Sequence, residues 1–210
     1  MGQNRLKQIV HNSFSILLYL RRYIQYLIYN KSFRSFGHRS FIIKPLHLNG
    51  LSNILIGDNV TINYKTWLAA LPLTGEKECS LQIKDGAIIG HFNHIYATKR
   101  ILIEENVMTA DKVYISDNLH GYEDIDVPIR DQPIVQNKEV VIGRDSWLGE
   151  NVCVLGAKIG RHCVIGANSV VTKDIPDYCI AVGIPARIIK RYCFDSQTWR
   201  RTDEQGNFIY

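Results

Sequence analysis

The sequence predicts an all-β solenoid, with a helix ahead of it and a short cap behind it, and three observations carry that prediction. Between Val140 and Pro176 an aliphatic residue returns about every six positions, so that Ile142, Leu148, Val154, Ile159, Ile165 and Val171 share one slot, with Gly143, Gly149, Gly160 and Thr172 directly after four of them. A second slot, four positions on, holds Ser146, Val152, Cys163, Ser169 and Ile175, which are mostly small. A period of six is neither the period of about 2.0 of a sheet face nor that of about 3.6 of a helix, so six residues form one flat side of a coil. Each side ends at a corner, and Gly143, Gly149, Asn151, Gly160, Gly166 and Asn168 are expected to turn those corners in left-handed backbone.

Taken in order, residues Met1 to Asn30 read as helix, with Asn12 or Ser13 as N-cap. Within it, Phe14 to Tyr29 is aromatic and aliphatic, but Arg21 and Arg22 interrupt it, and about 20 unbroken apolar residues are needed to span a bilayer. Such a helix could lie in the plane of an anionic membrane surface, or pack on its own domain or a partner subunit. The hexapeptide slots begin at Ile56, Gly57, Val60 and Ile62, break between Thr66 and Lys77, resume at Ile83, Ile89, Ile95 and Ile101, slip by two, and continue through Ile103, Thr109 and Ile115. They are lost between Asp117 and Lys138, a long charged loop with Gly and Pro, and long loops held between rigid coils tend to carry function. One step, Val154 to Ile159, is a residue short. After Asp174 the chain is a turn-rich exit, and its tail from Phe194 is polar. The expected organisation is a helical segment 1–40, a solenoid 41–192 with the loop 117–138, and a cap 193–210.

The chain has 210 residues, 46% hydrophobic and 21% charged, as one soluble domain with a sizeable core requires. The net charge of +5 is spread over short clusters, which excludes a nucleic-acid footprint but suits an anionic small molecule or an acidic membrane surface. The five cysteines, with no C-x-x-C pair, favour a reducing compartment, and no signal-peptide pattern opens the chain, so the expected place is the cytoplasm or the inner face of its membrane.

The runs DSWLGENVCVLGAKIG and IGANSVVTKDIP, the closing VGIPARIIK and the stretch ISDNLHGYED make the chain resemble the hexapeptide-repeat acyltransferases, specifically the O-acetyltransferases of sugars and cell-surface polysaccharides, over roughly Ile54 to Tyr192. The resemblance implies a left-handed parallel β-helix, a homotrimer with active sites at the clefts between subunits, acetyl-coenzyme A as donor and a sugar or glycan acceptor; no metal is expected.

Acetyl transfer to a hydroxyl needs a base for the hydroxyl proton and a donor for the oxyanion. Imidazole titrates near neutral pH, and His120, where repeat gives way to loop, is the expected base, with Asp117, Glu123 and Asp124 available to orient its ring. Relatives often carry two histidines here, and Asn118 stands in place of the first, as a candidate for binding acceptor or oxyanion. His94, Asp117, Tyr122 and Glu123 are candidates for the acceptor pocket. For the donor, Gly149, Ala167 and Ser169 match positions along the pantetheine arm, Lys173, Arg187 and Lys190 match groups that meet the phosphates, and Trp147 is expected to wall the cleft. No nucleophile elbow is present, so direct transfer is favoured over an acyl-enzyme. Two competing readings remain: a metal hydratase similar to the γ-type carbonic anhydrases, through His91, His94 and His120, and a solenoid scaffold that only binds.

Overall fold

The computed structural model describes residues 20–203 and 205–209. The chain winds into a parallel β-helix with three faces, whose strands are mostly two to four residues long. The first face stacks Ser35–Phe36, Ile54–Ile56, Ser80–Ile83, Arg100–Ile103, Val140–Ile142 and Lys158–Ile159. The second begins with Phe41–Ile42, passes through Trp147–Leu148 and ends in three strands, Cys179–Gly183, Ala186–Cys193 and Thr198–Arg201, of which the last two are antiparallel additions. The third stacks His47–Asn49, Trp67–Ala70, His94–Ala97, Tyr114–Ser116, Cys153–Leu155 and Val170–Val171.

The hexapeptide slots are the core. Ile142, Leu148, Val154, Ile159, Ile165 and Val171 are all buried, as are the second-slot Ser146, Val152, Cys163 and Ser169. A fully buried aliphatic side chain is worth about 1.5–3 kcal/mol, and the stack repeats that gain once per side. Thr109 occupies an aliphatic slot, and its hydroxyl donates to Asn93 Oδ1 (3.0 Å) and accepts from Gly90 N–H (2.9 Å), so the polar group is satisfied. The slip between Ile101 and Ile103 is the alternation of one longer strand, in which both point inward opposite Leu81 and Ile83.

Several expectations are corrected. Asn151 (φ 55°) and Asn168 (φ 59°) do turn corners in left-handed backbone, but Gly143, Gly149, Gly160 and Gly166 do not; Asp145, His162 and Tyr178 take that conformation instead. The four glycines answer to crowding between coils: a Cβ on Gly149 would stand 2.7 Å from Ala167 N, and one on Gly166 2.7 Å from Val182 Cγ1. Residues 66–70 belong to a regular coil, with Thr66 buried, so the irregular segment starts at Leu71. The solenoid begins at Ser35, ahead of the expected boundary at 41. The exit after Asp174 and part of the tail are strands of the second face rather than turns and a separate cap.

A described helix spans 20–29, and the rest of the expected N-terminal helix lies outside the described residues. It closes the first coil. The Gln25 amide donates to Ile42 O (2.7 Å) and accepts from Ile42 N–H (3.0 Å), pairing an edge strand that would otherwise present free backbone groups. Tyr26 stacks on His38 at 4.4 Å, and Tyr29 packs on Phe33 and Phe36.

Candidate active site

Every irregularity in coil length falls at one corner, where the third face passes to the first: residues 71–79, Thr98 and Lys99, residues 117–139, and the short turn at Gly156. Asp117 anchors it. Its Oδ1 accepts from Thr98 N–H (2.8 Å) and the Thr98 hydroxyl (3.0 Å), and its Oδ2 from the N–H groups of Lys99 and Arg100 (2.8 Å each). A fully buried carboxylate is tolerable because these charge-assisted bonds replace water. Asp117 therefore braces a corner, which corrects its expected places in the acceptor pocket and beside the His120 ring.

From that brace rises a hairpin, Asn118–His120 against Ile134–Gln136. Gln136 ties its base down, donating to Asp117 O (2.7 Å) and accepting from the Thr74 hydroxyl (2.7 Å), while its Oε1 lies 3.0 Å from the Thr98 hydroxyl, whose single proton it shares with Asp117, so both loops at this corner are linked. Asn118 is buried, and its amide donates to Tyr96 O (3.2 Å) and Asp117 Oδ1 (3.1 Å). Its donor is committed to the strut, so the oxyanion role expected of it is not available in this arrangement. His120 is the exposed last residue of the hairpin strand, its imidazole without a hydrogen-bond partner among the described residues, so neither Glu123 nor Asp124 bonds to the ring. Tyr122 and Glu123 are exposed beside it on the loop.

The short step from Val154 to Ile159 also belongs here. Gly156 (φ 57°) lies against the returning end of the hairpin, where a Cβ would stand 2.5 Å from Asn137 Cγ, and the shortened turn makes room for Asn137.

The residues expected to bind donor divide between two corners. Trp147 lies exposed on the second face, in register with Met108 and, below that, Ile88. Just beyond them, where the second face turns to the third, Gly90, Ala110, Gly149 and Gly166 succeed one another coil by coil as a row of small residues that ends beside exposed Ala167; Gly90 and Gly149 are buried, packed under the backbone of the next coil. Gly90 and Ala110 were not singled out from sequence, and Gly166 only as a corner residue, although each follows an inward residue as Gly149 does. Ser169 is not part of a surface: its hydroxyl donates to Gly166 O (2.6 Å) and accepts from Gly183 N–H (3.1 Å), which corrects its expected donor contact. Arg187 lies at the end of the same face, its guanidinium donating to Ala186 O (3.1 Å), and Lys190 is exposed further along. Lys173 is exposed at the other corner, the one that carries His120. In a three-sided section the second face lies opposite that corner, so one chain does not bring Trp147 and His120 together.

The third face carries an aromatic ladder. His94 stacks on Trp67 (4.2 Å, 8°) and tilts against Tyr114 (5.2 Å), with His47 edge-on to Trp67 (5.0 Å) and Tyr96 in the neighbouring row. Burial holds the His94 imidazole below its ordinary pKa, and its Nε2 is buried without a hydrogen-bond partner among the described residues. Trp67 and Tyr114 escaped the sequence reading; the signal was their position, one before an inward Leu68 or Ile115, as His94 precedes Ile95. His91 lies on the surface, its Nδ1 2.9 Å from Asp111 Oδ1. His94 is held in the ladder and His91 lies beside Asp111, and among the described residues of one chain no group of three or more metal-ligating side chains gathers.

Comparison with known proteins accords with this architecture. The family "Hexapeptide repeat of succinyl-transferase" matches residues 139–173. The chain is 32% identical over 164 residues to WbbJ of Escherichia coli K12, covering 75% of this chain and 81% of that protein, whose assignment as a lipopolysaccharide biosynthesis O-acetyl transferase is provisional. It is 32% identical over 168 residues to the galactoside O-acetyltransferase of Lactococcus lactis, covering 79% of this chain and 66% of that protein. Against a provisionally assigned Mycobacterium tuberculosis acetyltransferase, 39% identical over 156 residues, it covers 69% of itself and about half, 52%, of the relative. Among solved structures, the maltose O-acetyltransferase of Clostridium difficile 630 matches with a TM-score of 0.53 at 29% identity, covering 78% of this chain and 72% of that one. The N-acyltransferase AntD of Bacillus cereus, solved with dTDP and coenzyme A, shares the fold at a TM-score of 0.67 and 19% identity, over 82% of this chain and 90% of its own. The repeat, its left-handed parallel β-helix and these relatives together place the chain in the hexapeptide-repeat acetyltransferase family.

Proposed function

We propose that the protein transfers an acetyl group from acetyl-coenzyme A to a hydroxyl of a sugar or glycan precursor, with His120 as general base. The observation that carries this reading is the placement of His120, an exposed imidazole with no partner among the described residues, on a hairpin locked to the solenoid by Asp117 and Gln136. The neutral ring takes the hydroxyl proton as the oxygen attacks the thioester carbonyl. The tetrahedral intermediate then expels coenzyme A thiolate, which recovers the proton from the imidazolium, so no acyl-enzyme is formed. The pantetheine arm is placed along the row of small residues from Gly90 to Ala167, past Trp147, with Arg187 and Lys190 toward the phosphates.

This reading needs more than one copy of the chain, because Trp147 and His120 face apart. A homotrimer in which the hairpin of one copy overlies the second face of the next completes the site. Exposed Leu119, Val127 and Val135 on the hairpin and its loop, and exposed Ile88, Met108 and Trp147 on the second face, are the apolar surfaces such a contact covers. The donor and the unpaired thiols fit a cytoplasmic reaction. Thiol release from acetyl-coenzyme A, followed across a panel of sugars, tests the proposal. Turnover with at least one sugar is expected, and failure both to bind the donor and to release thiol overturns it.

A further inference from the structure

The helix 20–29 has two faces, and only one is explained by the solenoid. Gln25, Tyr26 and Tyr29 face the first coil. Leu20, Tyr23, Ile24, Leu27 and Ile28, at helical spacing on the other side, are each between 47% and 58% exposed. In sequence the same spacing continues backward at Leu17 and Ile16. The charge around this stripe is one-sided: eight Lys and Arg precede the first carboxylate of the chain, Asp58, whereas the remaining residues carry 17 Lys and Arg against 20 Asp and Glu. The whole positive balance of the sequence thus lies ahead of Asp58, in the segment that holds the apolar stripe; within the helix, Arg21 and Arg22 pack on Phe41. Among the described residues no helix is long and apolar enough to cross a membrane.

We propose that this helix face docks the protein on an anionic lipid bilayer, lying in the interface with its apolar stripe among the acyl chains and the surrounding cations over the headgroups. Charge decides between occupants. A second copy pairing helix to helix would bring two acid-free segments together, whereas an anionic surface complements them. A nucleic acid would meet the apolar stripe rather than a row of cations. Docked through its first coil, the protein stands with the strands Cys179–Gly183, Ala186–Cys193 and Thr198–Arg201 at the end away from the membrane. The inference is independent of the acetyl-transfer reading, because it uses none of the residues placed in that site.

The test is flotation of the full chain with vesicles of phosphatidylcholine alone or mixed with phosphatidylglycerol. Binding to the mixed vesicles is expected, at least ten-fold weaker on phosphatidylcholine alone, reduced by salt, and weakened roughly five-fold by Lys31→Gln. The double variant Ile24→Glu, Leu27→Glu should lose binding at least ten-fold with unchanged melting temperature. In Leu27→Trp, brominated phosphatidylcholine in the mixed vesicles should quench the new fluorescence. Wild-type protein that stays with the aqueous phase, or unquenched Leu27→Trp on bound vesicles, overturns the proposal. So does a lower lipid-free sedimentation mass for Ile24→Glu, Leu27→Glu, which would assign the face to contact between copies.

Discussion

Asp117 accepts both the backbone N–H of Thr98, at 2.8 Å, and its hydroxyl, at 3.0 Å, so that one buried carboxylate joins the corner of one coil to the start of the hairpin on the next. Replacing it with Ala removes the acceptor from the buried N–H of Thr98 and from the N–H groups of Lys99 and Arg100, at about 1–3 kcal/mol for each left without water. Asp117→Ala is expected to cost about 3 kcal/mol or more, read as a lower denaturation midpoint, and to loosen the hairpin, read as faster amide exchange in residues 118–136.

His120 contributes nothing to that brace. His120→Ala should leave the melting temperature within a degree or so and lower kcat by about 100- to 10,000-fold, the range for loss of a general base. Coenzyme A affinity should be kept, as calorimetry would report; a variant that keeps its turnover would return the chain to the scaffold reading.

Gly149 tests the proposed course of the donor. A Cβ there meets the backbone of Ala167 at 2.7 Å, and backbone of the next coil cannot move aside as a side-chain tip can. Gly149→Val is expected to cost about 1–3 kcal/mol by overpacking, and to raise KM for acetyl-coenzyme A more than KM for the acceptor.

His94 is held neutral by burial, with its pKa below the ordinary value of 6.5. In acid the unfolded chain therefore binds a proton that the folded chain refuses. Stability is full above that ordinary value and falls as pH drops below it, until the lowered folded value is reached. His94→Phe, which keeps a ring against Trp67, should flatten this part of the stability profile, measured by urea melts across mildly acidic pH.

Two thiols should be silent. Burial pushes Cys79 and Cys163 up to about 12, and their sulfurs lie 3.4 Å from Ala97 O and 3.1 Å from Pro176 O. Mass spectrometry after brief alkylation of native protein at neutral pH should find both unmodified.

The solenoid was legible because each coil repeats the same demand: an inward aliphatic at Ile142, Leu148 or Val154 every sixth residue has no other use. Local backbone was less legible. Gly143 and Gly149 look like turn residues in sequence, but the constraint on them is the coil above, which a linear reading does not see. Of the candidate site, the exposed place of His120 outside the coils was legible because the repeat fails beside it, whereas Asp117, Asn118 and Ser169 carry polar groups spent on partners far along the chain or on the next coil. Their sequence neighbours gave no warning of that, and the ladder of Trp67, His94 and Tyr114 exists only once coils are stacked.

The corner that carries Asp117 takes up chain of any length: a few residues at Gly156, a longer strap after Leu71, and a whole hairpin before Val140. The ladders on either side keep their register throughout, Ile101 opposite Val140 and Ile115 opposite Val154. Length is thus decoupled from scaffold at a single vertex. Loops can be exchanged there as cassettes, so that a lineage can try new partners for its surface while the column of isoleucines beneath goes on folding as before.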